Sequence, residues 1–171
     1  MIKKNLATVA LATAMAVVLG ACDQQKSAEP AATAPVATAA VAMPAAGSDP
    51  AAWKKYLADV VMKNMDGVKT NRPYMYFVPA GDDGKAQLDR SNQLDNVKTV
   101  ISRGVLPGNM LAFGGPDSKT TADLIVDAFA EGQANTFKDV VVLFVGAAAD
   151  SERVQTALAT VGATYRFAEM K

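Results

Sequence analysis

Asp139-Val140-Val141-Val142-Leu143-Phe144-Val145-Gly146 is the stretch that decides the fold. Between its polar start and its glycine every residue is apolar, and most are β-branched. The run is too short for a helix of ordinary length and shows no alternation. It therefore reads as a central strand covered on both faces. A strand of that kind needs helices around it, and both flanks supply them. Downstream, Val154, Ala157, Leu158 and Val161 recur at three- and four-residue steps and stop at Gly162. Upstream, Leu124, Ile125, Ala128 and Phe129 do the same behind a capping residue, Asp117 or Ser118.

Further out the same alternation continues. Pro107-Gly108 turns into a strand at Met110-Leu111-Ala112-Phe113. A helix from Ala86 or Arg90 to Ser102 presents Leu94, Val97, Val100 and Ile101, with Gly104 beyond it. Tyr74-Met75-Tyr76-Phe77-Val78 is a short apolar strand held between Pro73 and Pro79. Ser48-Asp49-Pro50 opens a first helix, whose inward side carries Trp53, Tyr56, Leu57, Val60, Val61 and Met65 before Gly67. Thr164-Tyr165-Arg166-Phe167 closes the chain as an alternating strand suited to a sheet edge. The order αβαβαβαβ predicts one small three-layer α/β domain over residues 48–171. Its core is a mainly parallel four-stranded sheet with helices on its faces. The pattern resembles a small, open doubly wound domain. It leaves the strand order and the direction of the last strand undetermined.

The N-terminus has a different character. Lys3 and Lys4 precede an uncharged apolar run from Leu6 to Leu19, shorter than the roughly 20 residues a bilayer-spanning helix needs. Residues 1–21 thus read as a signal peptide. Leu19-Gly20-Ala21-Cys22 resembles the lipobox of bacterial lipoproteins. That resemblance implies cleavage before Cys22, a diacylglycerol thioether on its sulfur, and acylation, by palmitate for example, of the new N-terminus. Several acyl chains hold a protein stably where one holds it marginally. Asp23 follows the cysteine and resembles the signal that retains Gram-negative lipoproteins at the inner membrane, with the outer membrane as the alternative. Residues 22–47 then form an Ala/Pro-rich linker, interrupted at Pro30, Pro35 and Pro44, that holds the domain off the membrane on the periplasmic side.

Composition narrows the chemistry. The chain has no histidine, and Cys22 is its single cysteine. Ser-His-Asp hydrolysis, histidine-ligated zinc and, with Cys22 lipidated, thiol catalysis are excluded, as is a disulfide framework. Seventeen basic and seventeen acidic residues balance to zero net charge, which argues against nucleic acid as a partner. Gly114-Gly115-Pro116-Asp117-Ser118-Lys119-Thr120-Thr121 sits where a phosphate loop would, but Ser118 stands where glycine must precede the lysine. Asp117 would repel a phosphate there, so no nucleotide is expected, nor any other cofactor.

Two groups of residues remain as candidate sites. Asp82, Asp83, Asp117 and Asp150 each follow the end of a predicted strand, so a parallel sheet would gather them along one edge. They offer oxygens to a divalent cation or cationic ligand, or alternatively serve as helix caps, which accounts for their spacing by itself. The second group is aromatic and methionine-rich. Trp53, Tyr56, Met62, Met65, Tyr74, Met75 and Tyr76 are candidates to line a partner surface or small-molecule groove. Helical and strand spacing makes most of them core, while Met62, Tyr74 and Tyr76 lie off the inward stripe and are the candidates for an uncovered outward face. The expected function is noncatalytic. It is a lipid-anchored binding or interaction module, of which an immunity or inhibitor protein is one form. Its partners are the membrane, through the lipid, and another envelope or secreted protein. The alternatives are a carboxylate-dependent metal-binding domain or enzyme and a small-ligand sensory domain.

Overall fold

A computed structural model describes residues 41–171; Cys22, Asp23, the expected signal peptide and most of the expected linker lie outside the described residues. Among the described residues, four helices and four strands alternate as the sequence pattern requires: α1 (Pro50–Lys63), β1 (Tyr74–Phe77), α2 (Gly84–Arg103), β2 (Met110–Gly114), α3 (Ser118–Phe129), β3 (Val141–Gly146), α4 (Ala148–Val161) and β4 (Thr164–Glu169). The hydrophobic run that opened the reading is β3. Every one of its residues is buried, as is every residue of β2 beside it.

The strands lie in the order β1-β2-β3-β4, all parallel, β4 included. This order never reverses, which separates the sheet from the doubly wound arrangement the pattern resembles. Winding in one direction, with crossovers of one hand, puts every crossover helix on the same face. Accordingly α2, α3 and α4 share one core with Leu111, Phe113, Val142 and Phe144. The three layers arise because α1 precedes β1 and is no crossover at all. It lies on the opposite face, where Trp53, Tyr56, Leu57 and Val61 pack on Met110, Ala112, Leu143 and Val145. Successive residues of β2 and β3 therefore feed two different cores, as the period of two in a strand dictates.

Aromatic contacts bind the larger core. Tyr76 stacks on Phe113 with ring centroids 4.9 Å apart, Phe113 meets Phe129 edge-on, and Phe129 meets Phe137 at 5.2 Å. Phe137 belongs to the α3–β3 connection and is fully buried, and its N–H donates to the Val161 carbonyl at the end of α4. Gly162, with φ 76°, then ends α4 in the left-handed conformation that lets its own N–H reach Ala159.

The packed part starts before Ser48. Val41 lies against the α1 core, its N–H reaches Asp59, and the Trp53 indole donates to the Ala45 carbonyl at 3.2 Å. α1 ends at Lys63, earlier than Gly67, because Asn64 closes it by returning its N–H to Val61. Arg166 of β4 then clamps the chain beyond the helix by donating to the carbonyls of Asn64 and Asp66. A cation at a helix C-terminus meets the negative end of the helix dipole. Among the described residues, no helix is long and apolar enough to cross a membrane.

Candidate functional site

The loops at the C-terminal ends of the strands show what the four aspartates do. Asp83 is the N-cap of α2, and its Oδ1 accepts the N–H groups of Lys85 and Ala86, both at 3.0 Å. The Ala86 bond leads in holding the Asp83 carboxyl below its ordinary value. Asp117 caps α3 in the same way, accepting from Thr120 N at 2.6 Å. Asp150 differs. It lies inside the first turn of α4, whose N-cap is Ala147 and has no side-chain cap. Its carboxylate accepts the Ser118 hydroxyl (2.6 Å) and the Arg153 guanidinium (3.0 Å to Nη2).

Ser118 is buried and also accepts the Ala147 N–H at 2.7 Å, so one hydroxyl joins the starts of α3 and α4. Arg153 extends the joint by bonding Asp123 and the Lys119 carbonyl on α3. Burial alone would raise the Asp123 carboxyl, but Lys119 and Arg153 outweigh it and the net shift is downward. Asp82 is exposed, and its carbonyl accepts from Gln87. The edge is tightly filled as well. A Cβ at Gly115 would collide with the Val78 carbonyl, which is why the β2–α3 turn needs glycine there. Among the described residues, no three acidic, histidine or cysteine side chains stand together as a metal-binding group. The absence of a strand-order reversal also deprives this edge of the crevice where open α/β sheets place ligands.

A more open surface lies at the side of the sheet. β1 is an edge strand, and the first halves of α1 and α2 stand on either side of it, leaving a groove of about 750 Å³. Leu57 and Lys54 line the α1 wall. The α2 wall is a polar stripe at helical spacing, with the Lys85–Asp89 ion pair at its start, then Asn92, Gln93 and Asn96. Along the floor run Met75, Tyr76 and Phe77. Lys54 sits 5.6 Å over the Phe77 ring.

The backbone of β1 is half used. Val78 N–H donates to the Gly114 carbonyl, and alternate residues of a parallel ladder turn both their polar groups the same way. Tyr74 and Tyr76 therefore bond β2, while the N–H and C=O groups of Met75 and Phe77 point off the sheet. The next outward carbonyl, that of Pro79, is taken by Arg90 at 3.2 Å.

The aromatic and methionine expectation is met in part. Met62 and Tyr74 are exposed, as expected off the inward stripe. Tyr76, a candidate for the outward face, is instead buried, 5% exposed, because α2 covers its face of β1; Met75 is 49% exposed because α1 does not reach over it. The Tyr76 hydroxyl is buried with no hydrogen-bond partner among the described residues, and burial pushes its pKa up to about 12. Such an orphan group costs about 1–3 kcal/mol. In the sequence, a four-residue strand with no charge between two prolines was the available sign of an open edge. Searches against protein-family models, curated proteins and solved structures find no match for this chain.

Proposed function

We propose that this chain is a lipid-anchored, noncatalytic interaction module facing the periplasm, and that the β1 groove is where it meets an envelope or secreted protein. The observation that carries this reading is the groove itself. Exposed Met75 and the unbonded strand backbone lie between an α1 wall of Leu57 and Lys54 and an amide-bearing α2 wall, with exposed Tyr74 at the start of the strand. Surfaces that combine apolar contact with free edge hydrogen bonds suit protein segments better than small polar metabolites. The lipobox motif supports membrane attachment through Cys22, with Asp23 favouring the inner membrane, and the missing histidine supports a noncatalytic role. An immunity or inhibitor protein acting on an incoming envelope-directed partner is the concrete form of this proposal.

The test is site-specific crosslinking in intact cells from photoreactive residues placed at Tyr74 and Met62. A discrete crosslinked protein from Tyr74, with none from Met62, is the expected result. The competing carboxylate reading predicts that millimolar calcium or magnesium raises the melting temperature, since a ligand selective for the native state must do so. A rise abolished by Asp150→Asn would replace the present proposal.

A further inference from the structure

The groove also specifies what kind of segment would fill it. We infer that it takes one extended, acid-containing segment of the partner protein, added as a fifth strand beside β1; this rests on the interaction-module reading above. Met75 and Phe77 present two outward N–H groups and two outward carbonyls, and no described residue bonds them. One added strand satisfies all four, whichever direction it runs. Arg90 on the Pro79 carbonyl and Pro73 before the strand close both ends, which limits pairing to about the length of β1.

The walls then set the side-chain pattern. Alternate side chains of the added strand face the two helices in turn. Those toward α1 meet Leu57, Met75 and Phe77 and are apolar. Those toward α2 meet Asn92, Gln93 and Asn96 and carry hydroxyl or amide groups. Lys54 rests on the Phe77 ring and forms no ion pair among the described residues, whereas Lys85 is already paired with Asp89. An acidic side chain on the apolar side of the segment, near Phe77, answers that charge. The same charge disfavours a second copy of this chain as occupant. Tyr74-Met75-Tyr76-Phe77 has no acid to offer, and a twofold antiparallel pairing would bring a second Lys54 to the same face.

The test uses full-length protein in detergent micelles and an eight-residue peptide of alternating Thr and Val, with one Val replaced by Asp. A sister peptide carries Lys at that position. The Asp peptide is expected to slow amide exchange at Met75 and Phe77 at least tenfold while leaving Tyr165 and Phe167 unchanged. Lys54→Glu should invert the preference between the two peptides, and Met75→Pro, which deletes one outward N–H, should abolish binding. Equal binding of both peptides, or no protection at millimolar peptide, overturns the inference. Protection without peptide, together with a doubled mass by light scattering, overturns it in favour of a second copy. Crosslinking to a partner that persists in Met75→Pro would sink this inference alone. Peptide binding with no partner in cells would sink the interaction-module reading alone.

Discussion

Among the described residues the sheet has two free edges, β1 and β4, and they are finished differently. β4 is the longer. Its Thr164 and Met170 N–H groups bond β3, so Tyr165, Phe167 and Glu169 turn theirs outward. Yet β4 carries charge along its length. Arg166 is spent on the carbonyls beyond α1, Glu169 pairs with Lys171, and the Tyr165 hydroxyl is hydrogen-bonded to the Ser151 hydroxyl on α4. Charged side chains are a standard defence of an edge against unwanted pairing. β1 has none of this. Its four residues are uncharged, two are substantially exposed, and its defence is shortness. One sheet thus has a finished edge and an unfinished one, and only the unfinished one lies between two walls.

This contrast is open to attack. The largest effect is expected from Leu57→Ala, which empties the buried contact holding α1 over β1 and β2. It should cost about 2–5 kcal/mol in urea unfolding and accelerate amide exchange at Tyr76 more than at Arg166. Arg166→Ala should strip the defence from the other edge. Losing the bonds to Asn64 and Asp66 is expected to cost about 1–3 kcal/mol. The variant should also aggregate faster on heating than wild type.

Tyr76→Phe should move stability the other way. Deleting a buried hydroxyl with no partner is expected to be neutral or to stabilise the unliganded protein by up to about 2 kcal/mol. The same variant has a pH signature. The folded pKa of Tyr76 lies above its unfolded value, so its ionisation leaves stability untouched below about pH 10 and lowers it as pH rises from there toward about 12. Wild type should therefore lose stability over that window with a steeper slope than Tyr76→Phe.

The smallest effect is expected from Asp83→Asn at the mouth of α2, beside the groove. The folded pKa of Asp83 is depressed, so its contribution is present above the ordinary carboxylate range and disappears as pH falls through the folded value. Melting temperatures of variant and wild type should differ slightly at pH 7 and converge in acid.

How much of this was legible depended on whether a pattern was local. The Val140–Val145 run and the helical spacing around it name their elements without help, because burial on both faces and on one face leave different periods. Strand order left no such trace, since any order of four parallel strands asks the same of each sequence segment. The β1 residues show the limit most clearly. Tyr74-Met75-Tyr76-Phe77 is apolar on both faces, so alternation separates the two faces but cannot say which one a helix covers. α2 buries Tyr76, and α1 stops short of Met75. The aspartates were half legible. Asp83 and Asp117 do the capping that their position before a helix suggests. Asp150 looks the same in sequence but bonds Ser118, which is 32 residues away and belongs to another helix.

The unreversed strand order has a consequence for how the domain comes into being. Each new strand pairs with the one made just before it, so a chain emerging N-terminus first, from a ribosome or an export channel, never waits for a later strand to complete an earlier pairing. Pairing each strand with its sequence neighbour keeps loop-closure costs lower than a reordered parallel sheet of the same strands would. A doubly wound sheet must hold its first strand exposed until the chain returns to its other side. Here the strand order permits assembly in one direction along the chain, with β4, the charged edge, emerging last.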